Sequence, residues 1–332
     1  MMKHLTLKSP LSHEKTISHR KIILLLTILT ILSACIVLFV GLTPKNIDFF
    51  LPRRLKKVGA ILITSYCIGY TSVTFQTITN NRILTPSVMG LDSLYMLIQT
   101  IIVFFFGSRQ LTMMTEIDNF LLSIGVMILA SVILFLFLFK KDGKSVYFLV
   151  LAGMILGGLF GGLSTFMQVL LDPNEFLILQ GKMFASFNNI NSDLLTISII
   201  ILLIVIIITW KDFNKLDAIA LGPDLAINLG VSYKQMVFKN LMVTAVLVSV
   251  STALTGPITF LGILVASLSR ELIKTYHHTW RVLGAFLMGG FSLILGQFLV
   301  EELFEFNTTI SVIVNFVGGI YFIYLMLKEA KR

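Results

Sequence analysis

The chain has 332 residues, 56% of them hydrophobic and only 13% charged, and carries a formal net charge of +9. Soluble domains average roughly 45–50% apolar and about 25% charged residues, so a water-soluble globule could not hide this much apolar surface. The Lys and Arg residues lie almost wholly between apolar runs, which makes the positive charge a membrane-orientation signal; no nucleic-acid partner is expected.

A bilayer core about 30 Å thick takes about 20 helical residues, whose backbone groups must bond within the helix. The apolar runs therefore predict an all-α polytopic membrane protein of ten spans, near 21–42, 57–77, 86–106, 118–139, 146–171, 193–210, 235–255, 257–273, 281–301 and 309–327. A basic tail, residues 1–20, precedes a single membrane domain, residues 21–332. The first run contains Leu32-Ser33-Ala34-Cys35, which reads like a lipoprotein processing site. It stays apolar past Cys35 through Val40, where a mature lipoprotein would turn polar, so an uncleaved span is expected. Cys35 and Cys67, the only cysteines, are read as small apolar residues within spans.

Asp92 is the one carboxylate deep in a span. It is either an ion-coupling group or a residue held by the helix start at Pro86. Gly153, Gly157 and Gly161, with Gly158 and Gly162, make overlapping small-xxx-small steps suited to close helix packing, a pathway wall or a subunit seam. The seventh and eighth runs are separated only by Thr255-Gly256-Pro257, too tight for two full spans, so short or broken helices are expected there.

With ten spans both termini share a side. Placing that side in the cytoplasm puts nineteen of the 26 Lys and Arg residues inside. Of the remainder, Lys45, Arg53, Arg54, Lys56 and Lys57 cluster at one outer loop, either to dock an acidic partner or to meet lipid headgroups. Reactive constellations are missing. Gly143-Lys144-Ser145 resembles the end of a phosphate-binding loop, but Leu138 stands where that motif needs glycine. The five histidines (His4, His13, His19, His277, His278) fall in the tail or one inner loop, so no metal set is expected inside the membrane.

Leu51-Pro52-Arg53, and Asn81, Leu84, Pro86 and Gly90 on related spacing, resemble the FecCD-type permeases of ABC importers for iron-siderophores, haem and cobalamin. Asp217, Leu221, Gly222, Ala226, Leu229, Gly230 and Val231 are similar to that family's inner segment, here residues 212–234, which couples to the ATPase. Gly256-x-Ile258-x-Phe260-Leu261-Gly262 followed by Arg270 resembles its broken-helix signature, and Gly318-Gly319-Ile320-Tyr321-Phe322 its last span. The chain differs at Ala266-Ser267, where the family commonly has Pro-His, and at Asn307-Thr308-Thr309, where a Glu-x-Pro step is frequent.

The resemblance implies a type II ABC importer permease of the bacterial inner membrane, without its own ATPase site or bound cofactor. It would work with ABC ATPase subunits that use the ATP, a second permease copy or paralogue, an extracytoplasmic binding protein and the surrounding membrane lipid. The implied cargo is a ferric siderophore. The ending Asn315-Phe316-Val317-Gly318-Gly319 resembles the catecholate branch, with haem and cobalamin as alternatives. The resemblance implies docking of the binding protein at Arg53, with Arg54, Glu301, Glu302 and Glu305 beside it. A pathway is expected near Gln76, Asn81, Pro86, Gly90, Gln168, Gly256 and Gly262, although interhelical hydrogen bonding is the simpler and favoured account of the polar members. An ion-coupled secondary transporter using Asp92 is the alternative class.

Overall fold

The computed structural model of the chain describes residues 19–139 and 146–329. Most of the basic tail, with His4 and His13, the Gly143-Lys144-Ser145 turn, and the last three residues lie outside the described residues. The described residues form thirteen α-helices: α1 (His19–Phe39), α2 (Ile47–Ile78), α3 (Leu91–Met113), α4 (Glu116–Phe139), α5 (Val146–Val169), α6 (Pro173–Met183), α7 (Ser192–Thr209), α8 (Phe213–Ile219), α9 (Pro223–Asn228), α10 (Tyr233–Thr255), α11 (Leu261–Leu272), α12 (His278–Glu302) and α13 (Ile310–Glu329). Single 3-10 turns stand at Pro86–Met89 and Trp210–Asp212.

Each of the ten apolar runs coincides with one of these helices, but they are not ten equal spans. Eight are long and apolar enough to cross a bilayer. The apolar part of α3 is shorter, Leu91–Gly107, and the helix breaks at Gly107, whose φ is 77°. The third run does not begin as a helix at residue 86 as expected: Pro86–Met89 is a tight turn, and Gly90 at φ 78° separates it from α3. The eighth run yields α11, whose twelve residues reach only about 18 Å at 1.5 Å per residue. The short, broken element anticipated after Thr255 is therefore present.

Two features differ further from the expectation. Helix α2 starts ten residues before the expected span and has 32 residues, about 48 Å, so its first turns extend beyond the hydrocarbon. Helix α6 was not anticipated. Its eleven residues are too few to span, yet its start carries a local signature: Asp172 accepts from Asn174 N at 2.9 Å and Pro173 occupies the first helical turn.

Three helices make the centre. In α2, α10 and α12, 78%, 72% and 61% of the most apolar window is buried, whereas the other spans keep most of theirs facing outward. Hydroxyls bond across helices in this core: Tyr70 Oη donates to Asn240 Oδ1 (3.0 Å), Ser65 Oγ to the Phe286 carbonyl (2.6 Å) and Thr30 Oγ1 to the Leu287 carbonyl (3.1 Å). Between α3 and α4, Gln99, Asn119 and Ser123 form a closed amide–hydroxyl cluster at 3.0 to 3.2 Å.

The glycine stripe of α5 has a packing function. The Pro86–Gly90 turn is seated on it so closely that a Cβ on Gly153 would come within 2.9 Å of the Met89 Cα, and one on Gly157 within 2.7 Å of the Gly90 Cα. Gly158 and Gly162 face open space. Gly157→Val is expected to cost about 1–3 kcal/mol of stability through overpacking, and Gly158→Ala to stay within about 0.5 kcal/mol. Thermal unfolding of the two variants in detergent checks the contrast.

Candidate functional site

The segment 212–234 is built around two short helices that could not persist alone, since isolated helices under about twelve residues are marginal in water. Gly222, at φ 103°, precedes Pro223 at the start of α9, and Gly230, at φ 82°, lets the chain turn into α10; both lie in backbone regions that favour glycine. The Ala226 N–H bonds the Gly222 carbonyl and the Val231 N–H bonds the Ala226 carbonyl, each at 3.0 Å. Leu216, Ile219, Ala226 and Met236 make a small core under the α8–α9 hairpin, with Phe213, Val231 and Tyr233 packed against it. On the opposite side Leu221, Leu225, Ile227 and Leu229 are all more than half exposed. Exposed apolar residues at this density mark a contact surface.

Two charged links fix the hairpin to the spans. Asp212 pairs with Lys239 of α10 at 2.6 Å, and the same Lys239 Nζ donates to the Ile208 carbonyl at the end of α7 (3.0 Å). Asp217 reaches α12. That helix opens at His277 without a side-chain cap of its own and without an acid in its first turn. Asp217 Oδ1 supplies the missing acceptor, taking the His278 N–H at 2.8 Å and the His278 Nδ1 at 2.5 Å, while Oδ2 lies 3.1 Å from the His277 Nδ1. A carboxylate from α8 thus caps α12 and opposes the positive end of its dipole. Asp217 is expected from the family resemblance, whereas nothing local in the sequence marks His277 and His278 as its partners, since they lie 60 and 61 residues away.

The residues expected along a pathway do not form one wall. Pro86 and Gly262 line a cavity of about 20 Å³ together with Ser72, Ser87, Asp92 and Thr252, room for a single water. Asp92 sits in the first turn of α3 and accepts from Thr252 Oγ1 at 3.2 Å. Gln76 Oε1 accepts from Arg270 at 2.7 Å, tying the inner end of α2 to α11. Asn81 Oδ1 accepts from the Ile83 N–H (2.9 Å) and shapes the loop that follows. Gly90 is pressed against α5, and Gly256, at φ 96°, against the backbone of Phe184 and Ala185. Gln168 is used between helices, donating to Ser164 Oγ (2.9 Å) and Thr100 Oγ1 (3.1 Å).

At the other end of the bundle Arg53 and Arg54 separate, because neighbours on a helix point about 100° apart. Arg53 is exposed, lies 4.1 Å over the Phe49 ring, and lines a polar hollow of about 260 Å³ with Lys56, Glu116 and Asn188–Asn191. Arg54 turns back and donates to the carbonyls of Val40 (2.6 Å) and Leu38 (3.2 Å), closing the end of α1. Glu301 is held inside the rim by Lys57 and by Gln297 Nε2 (2.6 Å), whereas Glu302 and Glu305 are exposed.

A helical bundle with a buried three-helix centre, broken helices seated in protein and an apolar two-helix hairpin on one face defines a multi-pass membrane permease of the type II ABC importer fold. The chain belongs to the FecCD transport family, whose model matches residues 21–328. It is 53% identical over 297 residues to the petrobactin import system permease protein YclO of Bacillus subtilis, covering 90% of this chain and 94% of that one. It is 37% identical to the petrobactin import system permease protein FatC of Bacillus anthracis, covering 86% of this chain and 82% of that one. A solved inward-facing metal-chelate type ABC transporter superposes with a TM-score of 0.81 over 94% of this chain and all of that one, at 24% identity, and shares the fold.

The rim geometry separates two neighbouring glutamates. Glu301→Gln removes the charge facing Lys57, whose side chain is only 11% exposed, and is expected to cost about 1–3 kcal/mol; Glu302→Gln should be nearly neutral. Detergent thermal unfolding of the two variants measures the difference.

Proposed function

We propose that this chain is the membrane-spanning subunit of an ATP-driven importer that carries a ferric siderophore of the catecholate type into the cytoplasm. The observation that carries the proposal is its 53% identity, across nearly the full length of both chains, with a petrobactin permease; petrobactin is of catecholate type.

Two copies, or this chain and a paralogue, enclose the pathway in a bacterial inner membrane with both termini inside. ATPase subunits seat on the exposed apolar face of α8 and α9, and their ATP-driven motion enters the permease through that hairpin. The permease itself binds no cofactor. An extracytoplasmic binding protein meets the outer rim at Arg53, Glu302 and Glu305, with Arg54 and Glu301 holding the rim in shape. Asp92, bonded to Thr252 at a helix start, serves as a structural anchor in this scheme.

The proposal is tested by reconstituting the chain in liposomes with candidate ATPases and binding proteins. Hydrolysis is then measured with ferric catecholates, ferric hydroxamates, haem and cobalamin. Stimulation confined to catecholates is the expected result; none by any loaded binding protein overturns the importer.

Coupling and docking are checked separately. Gly222→Val and Gly230→Val force a β-branched residue into the left-handed region, and uptake per ATP hydrolysed is expected to fall about tenfold or more. Arg53→Glu should weaken binding-protein affinity by about 1 kcal/mol, roughly fivefold in Kd at low salt, with the difference shrinking as salt rises.

A further inference from the structure

We infer that His278 is a positioning residue that carries movement of the α8–α9 hairpin to the inner end of the pathway, acting as a rigid strut between Asp217 and Thr77; the inference rests on the importer function proposed above. The side chain of His278 is fully buried, 0% exposed, at the first residue of α12. Its ring spans two contacts. Nδ1 lies 2.5 Å from Asp217 Oδ1 on α8, and Nε2 lies 2.7 Å from Thr77 Oγ1, one residue before the end of α2. Because a carboxylate only accepts, Nδ1 carries the proton, so Nε2 accepts from the Thr77 hydroxyl, whose one proton is shared with the Val73 carbonyl at 3.0 Å.

Thr77 is well placed to pass a displacement on. The residue before it, Gln76, holds Arg270 of α11, the short half of the broken pair. Arg270 in turn lines a cleft of about 170 Å³ with Arg82, Ser267, Glu271 and Lys328. Immediately before Arg270, Ser269 Oγ donates to the Arg281 carbonyl at 2.7 Å, so α11 is also bonded to the first turn of α12. The last turn of α2 therefore stands between the hairpin on one side and the short helix α11 on the other. An imidazole suits this place. It is planar, has no torsion between its two nitrogens, and bonds at opposite edges, so it transmits position where a longer chain would absorb it. In a buried, poorly solvated site the two bonds are strong and costly to leave unmade. A residue serving only to pack the start of α12 would need the Asp217 contact and not the one to Thr77.

The test uses the complete importer in liposomes with its ATPase, its binding protein and a ferric catecholate, scoring chelate taken up per ATP hydrolysed. Thr77→Val removes the hydroxyl at nearly constant volume and leaves the Asp217 cap of α12 untouched. His278→Asn keeps a donor for Asp217 but cannot reach Thr77. Both variants are expected to lower uptake per ATP roughly three- to thirtyfold, with the hydrolysis rate of Thr77→Val within about twofold of the parent and its detergent melting temperature lowered only by the few degrees that one lost buried hydrogen bond costs. Thr77→Ser, which restores the hydroxyl, should restore the ratio. A parental ratio in Thr77→Val, or uptake and hydrolysis falling together with a lowered melting temperature, overturns the strut. Failure of the parent chain itself to give binding-protein-stimulated hydrolysis would instead strike the importer, so the two results are distinguishable.

Discussion

Hydrocarbon offers a peptide group nothing to bond to, so a chain in lipid must close its hydrogen bonds within helices and bury every break inside protein. The irregular pieces between these spans obey that rule. The Pro86–Gly90 turn is received by Gly153 and Gly157, where only glycine lets the two backbones meet. The gap between α10 and α11 lies against Phe184 and Ala185, and its Thr255 carbonyl accepts the Ser186 N–H at 2.8 Å. Hydroxyls inside the helices turn back on the carbonyl four residues earlier, as Thr71 does on Cys67 and Ser249 on Ala245. The same constraint concentrates the polar contacts on α2, α10 and α12, the helices least exposed to lipid.

Outside the hydrocarbon the constraint relaxes, and a different kind of structure becomes possible. Helices of seven and six residues can stand at one face because water satisfies their ends. They still need tertiary support, which comes from the small core at Leu216, Ile219, Ala226 and Met236 and from the Asp217 cap on α12. Support on one side frees the other, where Leu221, Leu225, Ile227 and Leu229 remain uncovered. A hairpin anchored by side chains to α10 and α12, yet apolar toward the outside, is suited to receive force from a partner and convey it to the long helices.

Hydropathy made the ten apolar runs legible because the cost of a polar group in lipid acts over about twenty residues at a time. The same averaging hid what is shorter or mixed. Helix α6 has a readable start in Asp172-Pro173, but its eleven residues fell below the length of a span. The first ten residues of α2 carry Arg53, Arg54 and Lys56, whose charge masks a helix that runs through Pro52. Arg53 and Arg54 looked interchangeable until helical geometry sent one outward and the other back to α1. Pairs such as Lys57–Glu301 and Thr77–His278, separated by 244 and 201 residues, leave no local trace in sequence. The glycine patterns were legible as special positions, and the structure divides them into turns with positive φ and seats for another backbone.

The distribution of charge joins these observations to transport. A fixed charge within the spans would hold an opposite charge tightly, because the low dielectric strengthens attraction and water is too scarce to compete. A carrier of a bulky chelate gains by keeping its strong electrostatic contacts at the two faces, where they orient partners and lock hairpins, and leaving weak hydroxyl and amide bonds between the helices. Asp212, Asp217 and Lys239 do this at one face and Lys57 with Glu301 at the other. The helices joining the two faces then act as stiff rods, so that a displacement imposed at one end must appear where the rods are interrupted. Those interruptions lie between the Pro86–Gly90 turn and α3, and between α10 and α11, and both border the small cavity that holds Asp92.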